Sequence, residues 1–163
     1  MDIHQTLIDI SNDARGWLNA WTRDFSETER VRFSNDRMGP NPLAWQLGHI
    51  ATVEDDVVQL FTGNPPIVSA PLRAICGTGS PMPSAATQFP SLPELRGLLE
   101  RTHTSLIDMV EDASESDLDR PPLVENRFFR TLGQAVYEAA LHENYHVGEI
   151  AALRKALGKA RLG

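Results

Sequence analysis

Eight residues near the end of the chain, Leu132, Ala135, Ala139, His142, His146, Ile150, Leu153 and Leu157, recur at the spacing of one helical face, and two of them are histidines. A stripe of this kind dictates a helix with one side buried, so other amphipathic helices must cover it. Residues four apart lie one above the other on a helix, close enough to share one ion. Two imidazoles in a stripe otherwise made of Ala, Leu and Ile need polar partners, because an apolar core leaves ring nitrogens unsatisfied. A divalent cation satisfies one nitrogen of each ring, and a third ligand then has to come from a different helix.

The candidate for that third ligand is His49, within Asn41-Pro42-Leu43-Ala44-Trp45-Gln46-Leu47-Gly48-His49-Ile50. Asn41 suits an N-cap and Pro42 the first helical position, which places His49 about two turns into a helix. Trp45 and Val53 lie one turn to either side of it on the same face. A lone histidine in such a setting is ordinarily a hydrogen-bonded core residue. The downstream pair is what turns His49 into a ligand candidate, and His142 and His146 themselves could alternatively sit at the solvent edge of their helix.

Four helical patterns are readable and no strand is. The first covers roughly residues 2–24, with Ile3, Leu7, Ile10, Ala14, Trp17 and Trp21 at heptad-like spacing. The second runs from about 42 to 61 and stops at Gly63-Asn64-Pro65-Pro66. The third opens on the capping box Ser91-Leu92-Pro93-Glu94, directs Leu95, Leu98, Leu99, Thr102, Leu106 and Met109 inward, and ends near Asp112. The fourth opens on a second box, Thr131 to Gln134, and closes with Arg154, Lys155 and Gly158. These patterns define an all-α four-helix bundle in a single domain, residues 1–163. The stretch from about 63 to 90, rich in Pro, Gly and Ser, is long for a link between antiparallel neighbours, so it is expected to travel the length of the bundle. That gives an up-down-down-up order. Ser26-Glu27-Thr28-Glu29 ahead of the His49 helix and Ser114-Glu115-Ser116-Asp117 ahead of the His142 helix hint at a duplicated hairpin, although the likeness is too short to count as a repeat.

Composition sets outer limits. At 163 residues and 41% hydrophobic content the chain has enough material for one core. A net charge of −7 disfavours nucleic acid or an anionic membrane as partner, leaving a small-molecule substrate. No stretch is apolar enough to span a bilayer and the first residues do not read as a signal peptide, so a cytoplasmic location is expected. The single cysteine, Cys76, excludes an internal disulfide and any one-chain zinc site with two thiolates; it reads as an incidental loop thiol. The segment around Arg73 to Ser84 that contains it is expected to line or cover a pocket, with no role assigned.

Other residues compete for a chemical role. His142-Glu143-x-x-His146 matches the H-E-x-x-H of zinc peptidases, with Glu143 as catalytic base. Those enzymes draw a further ligand from downstream, and only residues 147–163 remain here. Glu143 is about 100° around the helix from His142, where it would border the site or face solvent. Glu143 with His146 also echoes a di-iron ligand pair, but a second such pair is absent. His103, next to Leu99 and Leu106, is expected at the bundle edge with one nitrogen in water. Trp17, Trp21 and Trp45 read as core or dimer-interface residues.

Taken together, Trp45-Gln46-Leu47-Gly48-His49-Ile50, the pair His142 and His146, and the closing Leu153-Arg154-Lys155-Ala156-Leu157-Gly158 resemble the DinB superfamily of metal-binding helical bundles. The resemblance spans nearly the whole chain in helix order and loop length. It implies a three-histidine divalent metal site at His49, His142 and His146, frequent homodimers and a cytoplasmic setting. Some members are S-transferases that use bacillithiol or a similar low-molecular-weight thiol, others are mycothiol-dependent maleylpyruvate isomerases, and many have no assigned substrate. No family motif identifies substrate-binding residues here.

Three neutral imidazoles leave an ion with at least one open position, the arrangement of a catalytic site. Imidazole suits zinc, nickel, copper or iron, and zinc is the first choice with nickel next. The expected function is a divalent-metal-dependent enzyme that activates a low-molecular-weight thiol for S-transfer or isomerisation. Two alternatives stay open: a non-catalytic dimeric helical module with a structural metal, and a metal-dependent hydrolase using Glu143. The substrate, the thiol, the native metal and the pathway are not readable.

Overall fold

The computed structural model describes residues 2–32, 40–80 and 88–160. Among the described residues there are five α-helices and no strand: α1 (Ile3–Thr22), α2 (Leu43–Thr62), α3 (Ala70–Cys76), α4 (Leu92–Glu111) and α5 (Leu132–Ala156), with a 3-10 turn at Glu115–Asp119 before α5. The four long helices are those the sequence patterns mark.

Helices α1, α4 and α5 start where a side chain takes up backbone N–H groups that the first turn leaves unpaired. Asp2 accepts from the His4 N–H at 3.0 Å, opening α1. Ser91 and Glu94 form the reciprocal capping box expected for α4. Thr131 caps α5 by accepting from the Gln134 N–H, but Gln134 turns its own side chain to the Arg130 N–H, so this box is only half made. At α2 the expected cap is displaced by one residue. Pro42 occupies the N-cap with no side-chain bond, and the Asn41 carbonyl instead accepts from the Gln46 side chain at 2.8 Å. The stop at Gly63 is as expected, since φ of 74° is the left-handed region that glycine enters at no steric cost.

Long-range pairs fix the topology. Trp21 at the end of α1 meets Arg154 at the end of α5, so these helices run parallel. Leu43 and Leu47 at the start of α2 share one core cluster with Ile150 and Leu153, whereas Val57 and Phe61 share the other with Leu132 and Val136. Helix α2 therefore runs against α5 and, with Leu95 near Leu43 and Leu106 near Val57, alongside α4. The order is up-down-down-up. Residues 63–91 make the crossover the topology requires, and they contain α3, which the sequence patterns did not mark. Seven residues including Pro71 carry too few periods to show helical patterning. Residues 81–87, Ser84 among them, lie outside the described residues.

The hairpin likeness has a physical counterpart. Ser26 and Glu29 bond reciprocally just as Ser114 and Asp117 do. The carbonyl of Arg30 accepts from the Ala44 N–H at 2.8 Å, and that of Arg120 accepts from Leu132 at 3.0 Å.

One helix face departs from expectation. In α1 the buried residues are Leu7, Ser11, Ala14, Arg15, Leu18 and Thr22, while Ile3 and Trp17 are exposed, Trp17 at 59%. The heptad spacing of Ile3, Ile10 and Trp17 pointed to a face rotated from the true one. The true face turns an arginine, Arg15, inward.

Candidate metal centre

The bundle brings the three histidines of the sequence patterns together. His142 Nε2 lies 3.1 Å from His49 Nε2 and 3.1 Å from His146 Nε2. The three rings meet edge-on, with centroids 4.6–5.2 Å apart: 4.9 Å for His49 and His142, 5.2 Å for His49 and His146, 4.6 Å for the helical pair. His49 and His146 are buried and His142 is half-buried. Trp45 stacks on the His49 ring at 4.6 Å, one turn before it on α2.

The partners of the remaining nitrogens set the tautomers. His49 Nδ1 donates to the Cys76 carbonyl at 2.7 Å, so Nε2 carries the lone pair. Gln46, fully buried, gives its amide N–H to the Asn41 carbonyl and presents its oxygen to His146 Nδ1 at 3.3 Å. A Glu149 oxygen also lies 3.3 Å from that nitrogen. His146 is thereby protonated on Nδ1, and its Nε2 also offers a lone pair. His142 can donate to at most one of these two nitrogens, leaving the other contact as lone pair against lone pair. Protonation does not resolve this. Burial pushes all three imidazoles down, His142 to about 4 and His146 to about 3; neighbouring imidazoles add to the effect at these two, whereas at His49 the Cys76 carbonyl opposes it. A cation at the centre of the three does resolve it. Nitrogens about 2.0–2.1 Å from a tetrahedral zinc are roughly 3.3 Å from one another, close to the spacing found. These three residues could hold a metal ion.

Among the described residues no fourth His, Cys, Asp or Glu joins the group. On one side, His49 and His142 border a cavity of about 440 Å³. Val53, Leu60, Phe128 and Phe129 give it apolar walls, and Asp56, Thr78, Asn126 and Glu138 add polar atoms. An ion held by the imidazoles would keep open coordination facing this space. Part of the crossover does line the cavity, through Thr78, but Cys76 presents its carbonyl to His49 rather than a thiol to the cavity. Its side chain is fully buried, which raises the thiol to about 12.

Glu143 does not join the histidines. It is buried on the adjacent face of α5, where Oε1 accepts from Arg15 Nε at 2.8 Å. Arg15 also donates to Glu54 Oε1 at 2.7 Å and to the Leu99 carbonyl at 2.6 Å. Two inward carboxylates explain why α1 turns an arginine into the core, since a buried carboxylate needs a cationic or hydrogen-bonding partner. Thr102 and His103 complete the coordination of Glu54, at 2.7 Å and 3.1 Å. Burial alone would raise the Glu54 carboxyl, but these bonds and the Arg15 charge hold it below the usual range; Glu143 has fewer partners, and burial raises it. His103 is therefore not at a wet edge as expected: it is 9% exposed, and its second nitrogen lies 3.0 Å from Asn12 Oδ1. Inward Arg15 and Glu54, which interrupt otherwise apolar stripes, were the available sequence signal for this network.

Fold and site together define a helical bundle with a three-histidine cluster, able to hold a metal ion, beside an open cavity. The sequence matches the family model of the DinB superfamily over residues 12–150, and the chain belongs to that superfamily. It is similar to a conserved protein of locus from Enterococcus faecalis known from a crystal structure, at a TM-score of 0.71 and 12% identity, covering 98% of this chain and 99% of that one. At that identity the likeness concerns the fold alone. No curated protein matches the sequence. Among the described residues no helix is long and apolar enough to cross a membrane.

Proposed function

We propose that the chain is a divalent-metal-dependent enzyme of small-molecule chemistry, with His49, His142 and His146 as ligands and zinc, then nickel, as the fitting ions. The observation that carries this reading is the meeting of three imidazole Nε2 atoms, two of which, on His49 and His146, are held with their lone pairs turned toward His142. When bound there, the ion supplies a Lewis acid that lowers the pKa of a coordinated thiol or water. The surrounding residues do the rest. Cys76 and Gln46 hold the two buried rings in one tautomer, Trp45 shields the His49 face, and Val53, Leu60, Phe128 and Phe129 exclude water beside a substrate.

Within that reading, the reaction is S-transfer or isomerisation using a low-molecular-weight thiol. The chain's own cysteine is buried away from the cavity, so the sulfur nucleophile comes from outside. The hydrolase alternative loses its base, because Glu143 is engaged by Arg15. A structural-metal module would call for a closed site, whereas two of these ligands, His49 and His142, border a cavity. The same reading includes a cytoplasmic homodimer, for which exposed Tyr137, Leu141 and Tyr145 on α5 offer a face; sedimentation at the monomer mass over micromolar concentrations would remove the dimer.

The test is a titration of cobalt-loaded protein with small thiols, followed by the ligand-field and sulfur-to-metal charge-transfer bands. The bands should shift and intensify with one thiol per site. Metal bound without any spectral response to thiols would remove the thiol reaction, and no metal bound at all would remove the enzyme.

A further inference from the structure

The crossover helix α3 does more than connect α2 with α4. Its last residue, Cys76, places its carbonyl 2.7 Å from His49 Nδ1. The final carbonyls of a helix have no partner within it, so this oxygen is available for an outside donor. What lets it approach is Gly48, the residue before His49. A Cβ at position 48 would lie 2.6 Å from Cys76 Sγ and 3.3 Å from Cys76 Cβ, a contact that only a side chain of one hydrogen avoids. At the other end of its approach, α3 is pinned to α2 by Arg73, which pairs with Asp55 and Asp56, while Asp55 also accepts from the Ile67 and Val68 N–H groups at 3.1 Å and 2.9 Å.

We infer that Gly48 and the Cys76 carbonyl form a positioning device for His49, so that seating of α3 on α2 and metal binding at the three histidines strengthen each other. The inference rests on the metal reading above and extends it to residues that touch neither ion nor substrate. Losing the carbonyl frees His49 to rotate and to exchange its tautomer, and the lone pair then no longer points at His142. Because the coupling is reciprocal, an ion at the site also holds α3 down and keeps the Cys76 sulfur covered. The sulfur itself is only a steric marker of that contact.

Two measurements test this with cobalt or zinc alone as the probe. Gly48→Ala should weaken metal binding about 10–100-fold, the range for losing a partner that orients a ligand. The double variant Gly48→Ala with Cys76→Ala, which removes the atom at 2.6 Å, should recover most of that loss. In the unsubstituted protein, a chromogenic aryl disulfide should label Cys76 several-fold more slowly with metal bound than without. Gly48→Ala protein with native helicity and undiminished affinity overturns the inference, as does a double variant no better than the single one. If Gly48→Ala does not fold, the labelling rate of the unsubstituted protein decides, and a rate indifferent to metal overturns the inference. Unsubstituted protein that binds metal no better than His142→Gln or His146→Gln overturns the metal reading itself, a result separable from these.

Discussion

His142 and Glu143 are adjacent in the chain yet belong to separate buried clusters: His142 Nε2 faces His49 Nε2 at 3.1 Å, and Glu143 Oε1 faces Arg15 Nε at 2.8 Å. One turn of α5 thus ties the imidazole cluster on one side to α2 and the ionic cluster on the other to α1. A step of about 100° per residue sends neighbouring side chains to different helices. Substitutions in the ionic cluster should therefore act on stability first and on metal binding through the placement of α5.

Arg15→Met removes the cation shared by Glu54 and Glu143 and leaves two buried carboxylates without it. The expected loss is about 3–5 kcal/mol in unfolding free energy, read by urea denaturation. The paired change Arg15→Met with Glu143→Gln should recover part of this, because the uncompensated charge is halved. A loss below about 1 kcal/mol in the single variant would show the network to be hydrated rather than buried.

Gln46→Ala takes away the acceptor of His146 Nδ1 and leaves only Glu149 on that side. Metal affinity should fall about tenfold or more, read by competition with a chromophoric chelator. Helical content should remain that of the parent.

The metal-free protein should lose stability as pH falls from about 6.5 toward 4. The folded-state values of His142 and His146 lie at about 4 and about 3, below the ordinary value near 6.5, so across that window the unfolded chain binds protons that the folded one does not. Stability is fully present above the unfolded value and is lost on acidification. Thermal melts of metal-free protein at pH 7.0 and at roughly 5 should differ, and the difference should shrink in His142→Gln and His146→Gln. A flat profile in the parent would contradict the burial of neutral imidazoles.

Phe128→Ala trims an apolar wall of the cavity at a residue that is 55% exposed. Stability should change by less than about 0.5 kcal/mol, as at other exposed positions. An aryl thiol, followed through the cobalt bands, should bind several-fold more weakly while metal stoichiometry holds. Equal affinity in parent and variant would place the ligand elsewhere.

The sequence alone determined the four long helices, their direction and the three histidines. Helical periodicity, caps at Ser91 and Thr131, and a crossover too long for antiparallel neighbours are local signals, and local signals survive without coordinates. Only the tertiary structure decided the rest. Helix α3 was too short to pattern, the inward face of α1 was set by carboxylates on α2 and α5, and His103 was drawn inside by Glu54 and Asn12. The role of Glu143 was decided in the same way, because H-E-x-x-H spacing fixes where a carboxylate leaves its helix and not which neighbour it meets. Residues far apart in the chain, such as Arg15 and Glu143 or His49 and Cys76, acquire their chemistry from helix packing, and packing depends on all the helices at once.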